Sequence, residues 1–558
     1  MTGYIRKNIF IIFLSASALF LLFWSLGSRE LWGSEDRWAE ITREMFLSGD
    51  FFHPTINNTP YFDKPLLSYW FIAATAIVTG SLNELTTRIP SAIAGLLALW
   101  ATFIMARRMW SKQTAATAVW ILLTTYGFIF WARTAAADME NLTVIILVIA
   151  WYQLRKEKLG FLTYLIFYLL CFTGAHTKGL AAVAIPLIAV FADVVVFRSW
   201  RKHVCISHAV AIIIGFSVYL FPFIYASMTN PDYGSNGLSL VFKENIQRFV
   251  NPFDHKQPFF VYFYYLPELL IPWSIIFIGA AISAFHGFRR MDKNTTWLLF
   301  TNLLIFLFFT ASGSRRVYYI MPILPFCAIL TAVMLHSDFF RWKNIFCSIS
   351  KWLIILTGIA GIASPLACII VERKYGLSLP LILYISSPIA GLLAIAVFSR
   401  RGFITRELQA EITGSSSEVA PLILSILVLS CAFFCFQFPA LTSFSTNRST
   451  SILLKAEIAK VPAANTAFFL KVPVNILFYI GRKEPFKILE STADLKKFIS
   501  ENKGPKLIVS LSKYSDVIMD VLPNEIKDSP VIVEKAFFNA KGSNNISAWK
   551  MGVAENSP

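Results

Sequence analysis

Long apolar runs recur along this chain at close intervals, and short clusters of arginine and lysine punctuate them. A run of about 20 apolar residues is the length a helix needs to cross the hydrocarbon core of a bilayer. With 56% of its 558 residues hydrophobic, only 15% charged and 51 phenylalanines, the chain has more apolar surface than a water-soluble core could hide. An all-α polytopic membrane protein is predicted. The formal charge of +17 does not point to nucleic acid, because the basic residues sit in small clusters between apolar runs with few aromatics interleaved.

Those clusters report topology. Arg6/Lys7, Arg107/Arg108/Lys112, Arg155/Lys156/Lys158, Arg198/Arg201/Lys202, Arg289/Arg290/Lys293, Arg341/Lys343 and Arg400/Arg401/Arg406 are all assigned to the cytoplasmic side by the positive-inside rule. The apolar run Leu66 to Gly80 is too short to cross, and counting it would move every later cluster outside, so it is predicted to be an interfacial or re-entrant helix. About 13 spans follow, the first at 9–28 and the last at 419–438, with 114–133, 138–154, 264–285, 316–336 and 378–398 among them. The first apolar stretch follows Arg6 and Lys7 like a signal peptide, but no small-x-small cleavage site succeeds it, and it is read as a retained span.

Two domains are expected: a transmembrane catalytic domain over 1–440, with its first exported loop at 29–86, and a small C-terminal α/β domain over 441–558 on the same outer side. Within the latter, Ala467 to Val472, Asn475 to Ile480 and Leu507 to Leu511 read as strands. Asp494 to Glu501, opened by a Ser491-x-x-Asp494 capping signal, and Tyr514 to Leu522 read as helices. No glycine-rich phosphate loop or nucleophile-base pair is visible there, which favours support or partner binding over catalysis. The seven cysteines all fall in or beside apolar runs, so neither a disulfide framework nor a C-x-x-C metal site is implied.

Chemistry concentrates in the first exported loop. Within it lie Glu35, Asp36, Arg37, Glu40, Arg43, Glu44, Asp50, Asp63 and Lys64, a mixture able to bind phosphate, hold a cation and take a proton. On the periplasmic side nucleotide sugars and ATP are absent, so an enzyme there needs an activated donor delivered within the membrane. A lipid-linked phosphosugar fits: its phosphate needs cations at the bilayer surface, and its anomeric carbon needs an acceptor oxygen steered by a carboxylate.

The run Leu31-Trp-x-x-Glu-Asp-Arg-Trp-Ala-Glu-Ile-x-Arg-Glu-Met-x-x-x-Gly-Asp, followed by Tyr61-Phe-Asp-Lys-Pro-Leu-Leu-x-Tyr-Trp70, resembles glycosyltransferase family 83. Arg88-Ile-Pro-Ser, Ala135-Ala-Ala-Asp138-Met, Thr177-Lys178-Gly179, Pro272-Trp273-Ser274 and Tyr319-Ile-Met-Pro322-x-x-Pro325 extend the likeness to about residue 340. The resemblance implies the GT-C fold and an enzyme class that includes the undecaprenyl-phosphate aminoarabinose transferases acting on lipid A. In that branch the loop usually reads Asp-Glu-x-Arg-Tyr, so its first acidic position falls on Ser34 and its tyrosine on Trp38. If that aspartate is the family's key carboxylate, Glu35 is the nearest replacement here.

The implied site has Glu35, Asp63 and Asp138 as catalytic carboxylates, with Glu35 assisting the acceptor. Its substrate-binding groups are Arg37, Lys64, Lys178, Arg315, Arg316 and Tyr319. Asp138 opens a span, where a carboxylate is expensive unless it lines a cavity. Arg315 and Arg316 interrupt the topological pattern in a short outer loop, which phosphate binding explains. Lys64 also reads as a snorkelling lysine and Tyr319 as an interfacial tyrosine. Glu40 and Glu44 read as solvated or paired with Arg37 and Arg43. Asp63 and His255 could hold a divalent cation, but two ligands fall short of the three or four that define a site, and no cofactor is required.

The expected function is transfer of a sugar from a polyprenyl phosphate, undecaprenyl phosphate in the resemblance, to lipid A, lipopolysaccharide or a related envelope acceptor. It would occur at the periplasmic face of the bacterial inner membrane, among membrane lipids and without nucleic acid, by a single inverting displacement. Two rivals stand beside it. A protein O-mannosyltransferase would share the GT-C plan and place its sugar on protein, whereas a transporter or flippase would favour inverted repeats and broken helices at the midplane.

Overall fold

The computed structural model describes residues 2–61, 64–230, 233, 247, 255–376, 378–399, 404–442, 447–501, 504–523, 532–533 and 546–551. Helices dominate it. The first eight are α1 (Thr2–Phe23), α2 (Glu35–Ser48), α3 (Leu67–Thr79), α4 (Glu84–Met109), α5 (Lys112–Leu123), α6 (Tyr126–Ala132), α7 (Ala137–Arg155) and α8 (Phe161–Ala175). Among the described residues seven helices are long and apolar enough to cross a membrane, eight if the bent pair α5–α6 is one span, and five shorter apolar helices accompany them.

The chain divides into two compact units: Met1–Leu26, Phe62–Thr79 and Arg88–Ala440 form one, and Gly27–Tyr61, Gly80–Thr87 and Leu441–Pro558 the other.

In the first unit the helices follow local signals. Ser111 caps α5 by accepting the Thr114 N–H, and Asp292 caps Lys293–Ala311 by accepting the N–H groups of Asn294 and Thr295. The stretch expected as one span over 114–133 is broken, with a 65° bend between α5 and α6. Thr124 and Thr125 turn their hydroxyls back onto the carbonyls of Trp120 and Ile121 at 2.6 and 2.7 Å, a back-bonding that bends helices. The Trp273 indole N–H then holds Thr124 at 2.9 Å. The stretch expected over 264–285 is likewise two helices, Tyr262–Leu269 and Ser274–Gly287. The one over 316–336 opens with a 3-10 segment, Val317–Ile323, before Leu324–Leu335. Proline at 272, 322 and 325 accounts for both, since its ring removes a donor and disfavours helix at the residue before it.

Helix α3 has 13 residues and is about 20 Å long, short of a hydrocarbon core. Burial separates centre from periphery: 83% of the most apolar window of Val317–Leu335 and 78% of that of α7 is enclosed, against 11% for Lys343–Tyr375.

The second unit contains α2, a two-stranded hairpin of β1 (Thr55–Ile56) and β2 (Thr59–Pro60), and a five-stranded sheet. The sheet comprises β3 (Thr466–Phe469), β4 (Lys487–Leu489), β5 (Lys506–Leu511), β6 (Ile532–Val533) and β7 (Ile546–Met551), in the order β4-β3-β5-β7-β6. Strand β3 runs parallel to β4 and β5, and β7 antiparallel to β5 and β6.

Of the expected elements, Asn475 to Ile480 is corrected: it lies in a helix, Val474–Ile480. Six apolar residues carry no decisive period, and the punctuation decides, with Pro473 before the first turn and Gly481 left-handed (φ 65°) after the last. The Ser491–Asp494 capping interaction forms as expected, the Asp494 N–H reaching the Ser491 hydroxyl at 3.1 Å.

Candidate active site

In the first unit the charged groups gather at the start of α7. Asp138 and Glu140 occupy its first turn, where the helix dipole favours negative charge, and both are buried. Asp138 pairs with the Lys178 ammonium. Lys178 is held by the turn after α8, in which Thr177 donates to the Gly174 carbonyl at 2.7 Å and Gly179 adopts φ 139°, a conformation that favours glycine. Gly174 allows α8 to approach α7, since a Cβ there would meet Val144 Cγ1 at 2.4 Å.

Aromatic rings enclose the ammonium. Lys178 Nζ lies 4.8 Å from the Tyr318 ring centroid and 4.9 Å from that of Tyr319, distances at which ring faces attract a cation. Tyr318 in turn packs against Trp131 at 4.7 Å and lies 5.8 Å from the Arg316 guanidinium. Arg316 is exposed and reaches His255 Nδ1 at 2.9 Å. Arginine only donates, so Nδ1 accepts and a neutral His255 carries its proton on Nε2.

Arg315 is placed differently from its neighbour. Its guanidinium donates to the carbonyls of Thr310 and Gln257, the latter at 2.5 Å, and its backbone N–H to His255 O. It fastens the 255–257 segment to the end of the preceding helix. Lys64 precedes α3, whose start is docked on the turn bearing Lys178: the Leu67 N–H donates to His176 O at 3.1 Å and the Ser68 hydroxyl to Thr177 O at 3.5 Å. Asp63 lies outside the described residues. No group of three or more His, Cys, Asp or Glu able to hold a metal ion occurs among the described residues. With His255 Nδ1 facing a guanidinium, no chemical step is assigned to a cation.

In the Arg88-Ile-Pro-Ser motif the Ser91 hydroxyl donates to Glu140 Oε1 at 3.1 Å. Arg88 is fully buried and donates to Leu26 O at 2.9 Å, while Arg133 donates to the carbonyls of Leu21 and Trp24 at 2.6 and 2.8 Å. Together these cations satisfy carbonyls at and just beyond the C-terminal end of α1.

In the second unit Glu35 begins α2 and is fully buried. Its oxygens accept from Arg29 at 3.2 and 3.1 Å and from the Trp32 N–H at 3.2 Å, which closes the turn into the helix. Arg37 donates to the Tyr61 hydroxyl at 3.0 Å.

Of the two alternatives expected for Glu40 and Glu44, solvated or paired with arginine, the pairing holds for Glu40 with Arg43, and both carboxylates are buried. Glu40 takes two bonds from Arg43 at 2.7 Å. Burial nevertheless raises the Glu40 carboxyl above its ordinary range, more than Arg43 lowers it. Glu44 accepts the Asn57 and Asn58 N–H groups at 2.6 and 3.2 Å. Those asparagines have φ of 54° and 57°, the left-handed pair of a tight hairpin turn.

Sequence reasoning missed Tyr318, Trp131 and Arg133. Tyr318 immediately precedes the motif that Tyr319 opens and carried no signal of its own, and Trp131 lies far from either in the chain.

This helical architecture, with seven or eight helices long and apolar enough to cross a membrane among the described residues, is that of a multi-pass membrane protein. The sequence family described as dolichyl-phosphate-mannose-protein mannosyltransferase matches residues 63–225. The undecaprenyl phosphate-alpha-4-amino-4-deoxy-L-arabinose arabinosyl transferase of Aeromonas hydrophila is 30% identical over 412 residues, covering 69% of this chain and 73% of that one. Its counterpart from Aeromonas salmonicida is 28% identical over 405 residues, 68% and 72%. The crystal structure of ArnT from Cupriavidus metallidurans bound to undecaprenyl phosphate shares the fold with a TM-score of 0.74 at 18% identity, covering 99% of each chain. The chain belongs to the undecaprenyl phosphate-alpha-4-amino-4-deoxy-L-arabinose arabinosyl transferase family.

Proposed function

We propose that this protein, in the bacterial inner membrane with its active site and C-terminal region on the periplasmic side, transfers 4-amino-4-deoxy-L-arabinose from undecaprenyl phosphate to lipid A or a related envelope acceptor. The observation that carries the reading is the Lys178–Asp138 pair beneath Tyr318 and Tyr319, with exposed Arg316 against the same Tyr318 ring. Fixed cations beside aromatic rings suit a phosphodiester donor whose leaving group is a phosphate monoester, since its departure needs positive charge more than a proton.

The acceptor oxygen attacks the anomeric carbon, the bond from that carbon to the donor phosphate oxygen breaks, and its electron pair stays on undecaprenyl phosphate. Lys178, Arg316 and Lys64 stabilise that charge. Tyr319 orients the donor, while Asp138 keeps Lys178 in place. Arg315 acts by holding the loop that presents Arg316. An acceptor phosphate is already ionised and needs no base, so Glu35, with both oxygens engaged, steers the loop through Arg29 instead of taking a proton.

Mass spectrometry of lipid A from cells with and without this protein tests the reading. A gain of one aminoarabinose supports it. The same sugar mass on protein would select the mannosyltransferase-like alternative suggested by the match over 63–225.

A further inference from the structure

The second unit joins three stretches of chain, and one phenol meets all of them. Tyr479, on Val474–Ile480, accepts the Leu31 N–H at 2.8 Å and lies 3.1 Å from Glu84 Oε1. A tyrosine hydroxyl has one proton, and an amide N–H can only donate, so that proton goes to the Glu84 carboxylate. Leu31 is fully buried and lies between Arg29 and Glu35 in the sequence, and Glu84 starts α4. The hydroxyl therefore buckles the beginning of the first loop, its end, and the C-terminal region.

Neighbouring contacts fix the same register. Arg43 donates to Arg482 O at 2.9 Å. The Asn57 side-chain amide donates to Phe486 O at 2.9 Å and accepts the Phe486 N–H at 2.6 Å, imitating a strand pair. All of these fastenings reach the loop from residues 479–486.

We infer that Tyr479 is a positioning residue for glycosyl transfer: through Leu31 and Glu84 it holds the loop that carries Glu35 and Arg37. The inference rests on the proposed function in that this loop serves the transfer. It assigns the C-terminal region the task of setting loop geometry.

The test compares the full-length wild type with Tyr479→Phe, Glu84→Ala and Glu84→Gln. Two quantities are read: hydrogen exchange of the peptide containing Leu31, and kcat and donor KM with undecaprenyl-phosphate-linked aminoarabinose and lipid A. Removing a hydrogen bond of this kind is worth roughly tenfold in an equilibrium. Tyr479→Phe and Glu84→Ala should speed Leu31 exchange about tenfold and lower kcat by a similar factor, with donor KM nearly unchanged. Glu84→Gln, whose amide oxygen still accepts, should stay near wild type. Wild-type exchange or wild-type kcat in Tyr479→Phe overturns the inference, as does a rise in KM with kcat intact. Absence of transfer by the wild type would count against the proposed function, and the exchange measurement would still decide whether Tyr479 holds the loop.

Discussion

Lys178 and Asp138 form an ion pair between the turn after α8 and the first turn of α7, and the lysine ammonium lies under Tyr318 and Tyr319. Removing Lys178 takes this ion pair from the buried Asp138 carboxylate, a loss of about 3 kcal/mol. Lys178→Met should lower both the apparent unfolding temperature and donor affinity. Adding Asp138→Asn should restore part of the stability and none of the transfer. Thermal unfolding in detergent and a donor-binding assay check this, and recovery of transfer in the double variant would contradict it.

The adjacent arginines should behave oppositely. Arg315 satisfies carbonyls, so Arg315→Ala should destabilise the protein, by about 1–3 kcal/mol. Arg316 is exposed, so Arg316→Ala should leave stability unchanged and raise donor KM about tenfold or more, the worth of one charge-assisted hydrogen bond. Equal effects on stability would remove the distinction drawn from the geometry.

Glu35→Gln separates a proton acceptor from a structural anion. Its carboxylate pairs with Arg29 in a buried setting, so the variant should be less stable and turn over more slowly. The pH profile of its residual turnover should match that of wild type. Loss of an acid limb in that profile would identify Glu35 as the base.

Glu40 gives a pH dependence. Burial raises its carboxyl from the ordinary 4.5, so the folded state holds the proton more tightly than the unfolded state. The resulting stability is fully present below about pH 4.5 and is lost as the pH rises through the raised folded value. Glu40→Gln should abolish that slope. An unfolding temperature that changes with pH equally in both proteins would contradict the assignment.

Some of this was legible in the sequence because it is local or compositional. Apolar length and basic clusters define a polytopic chain, and the spacing in Ser491-x-x-Asp494 marks a helix start whatever surrounds it. Asp138 stood out because a carboxylate at an alanine-rich span start is expensive unless it lines a cavity, but its pairing with Lys178 was not legible.

The rest depends on tertiary placement. Trp131 packs on Tyr318 from α6, which is bent by 65° from α5, and no period in the sequence announces such a bend. Arg315 and Arg316 are chemically identical neighbours whose roles diverge only when nearby carbonyls are known. Helical spacing marked Arg43 as a partner for Glu40, but the burial of Glu40 and Glu44 depends on what covers that face, of which spacing says nothing.

Direct observation of transfer comes from mixing the purified full-length protein in lipid with undecaprenyl-phosphate-linked aminoarabinose and lipid A, and following the sugar by mass spectrometry and anomeric NMR. One aminoarabinose should appear on lipid A with inverted anomeric configuration, undecaprenyl phosphate should be released, and Lys178→Met should lose transfer. Transfer with retained configuration, transfer to protein, or undiminished activity in Lys178→Met would contradict it.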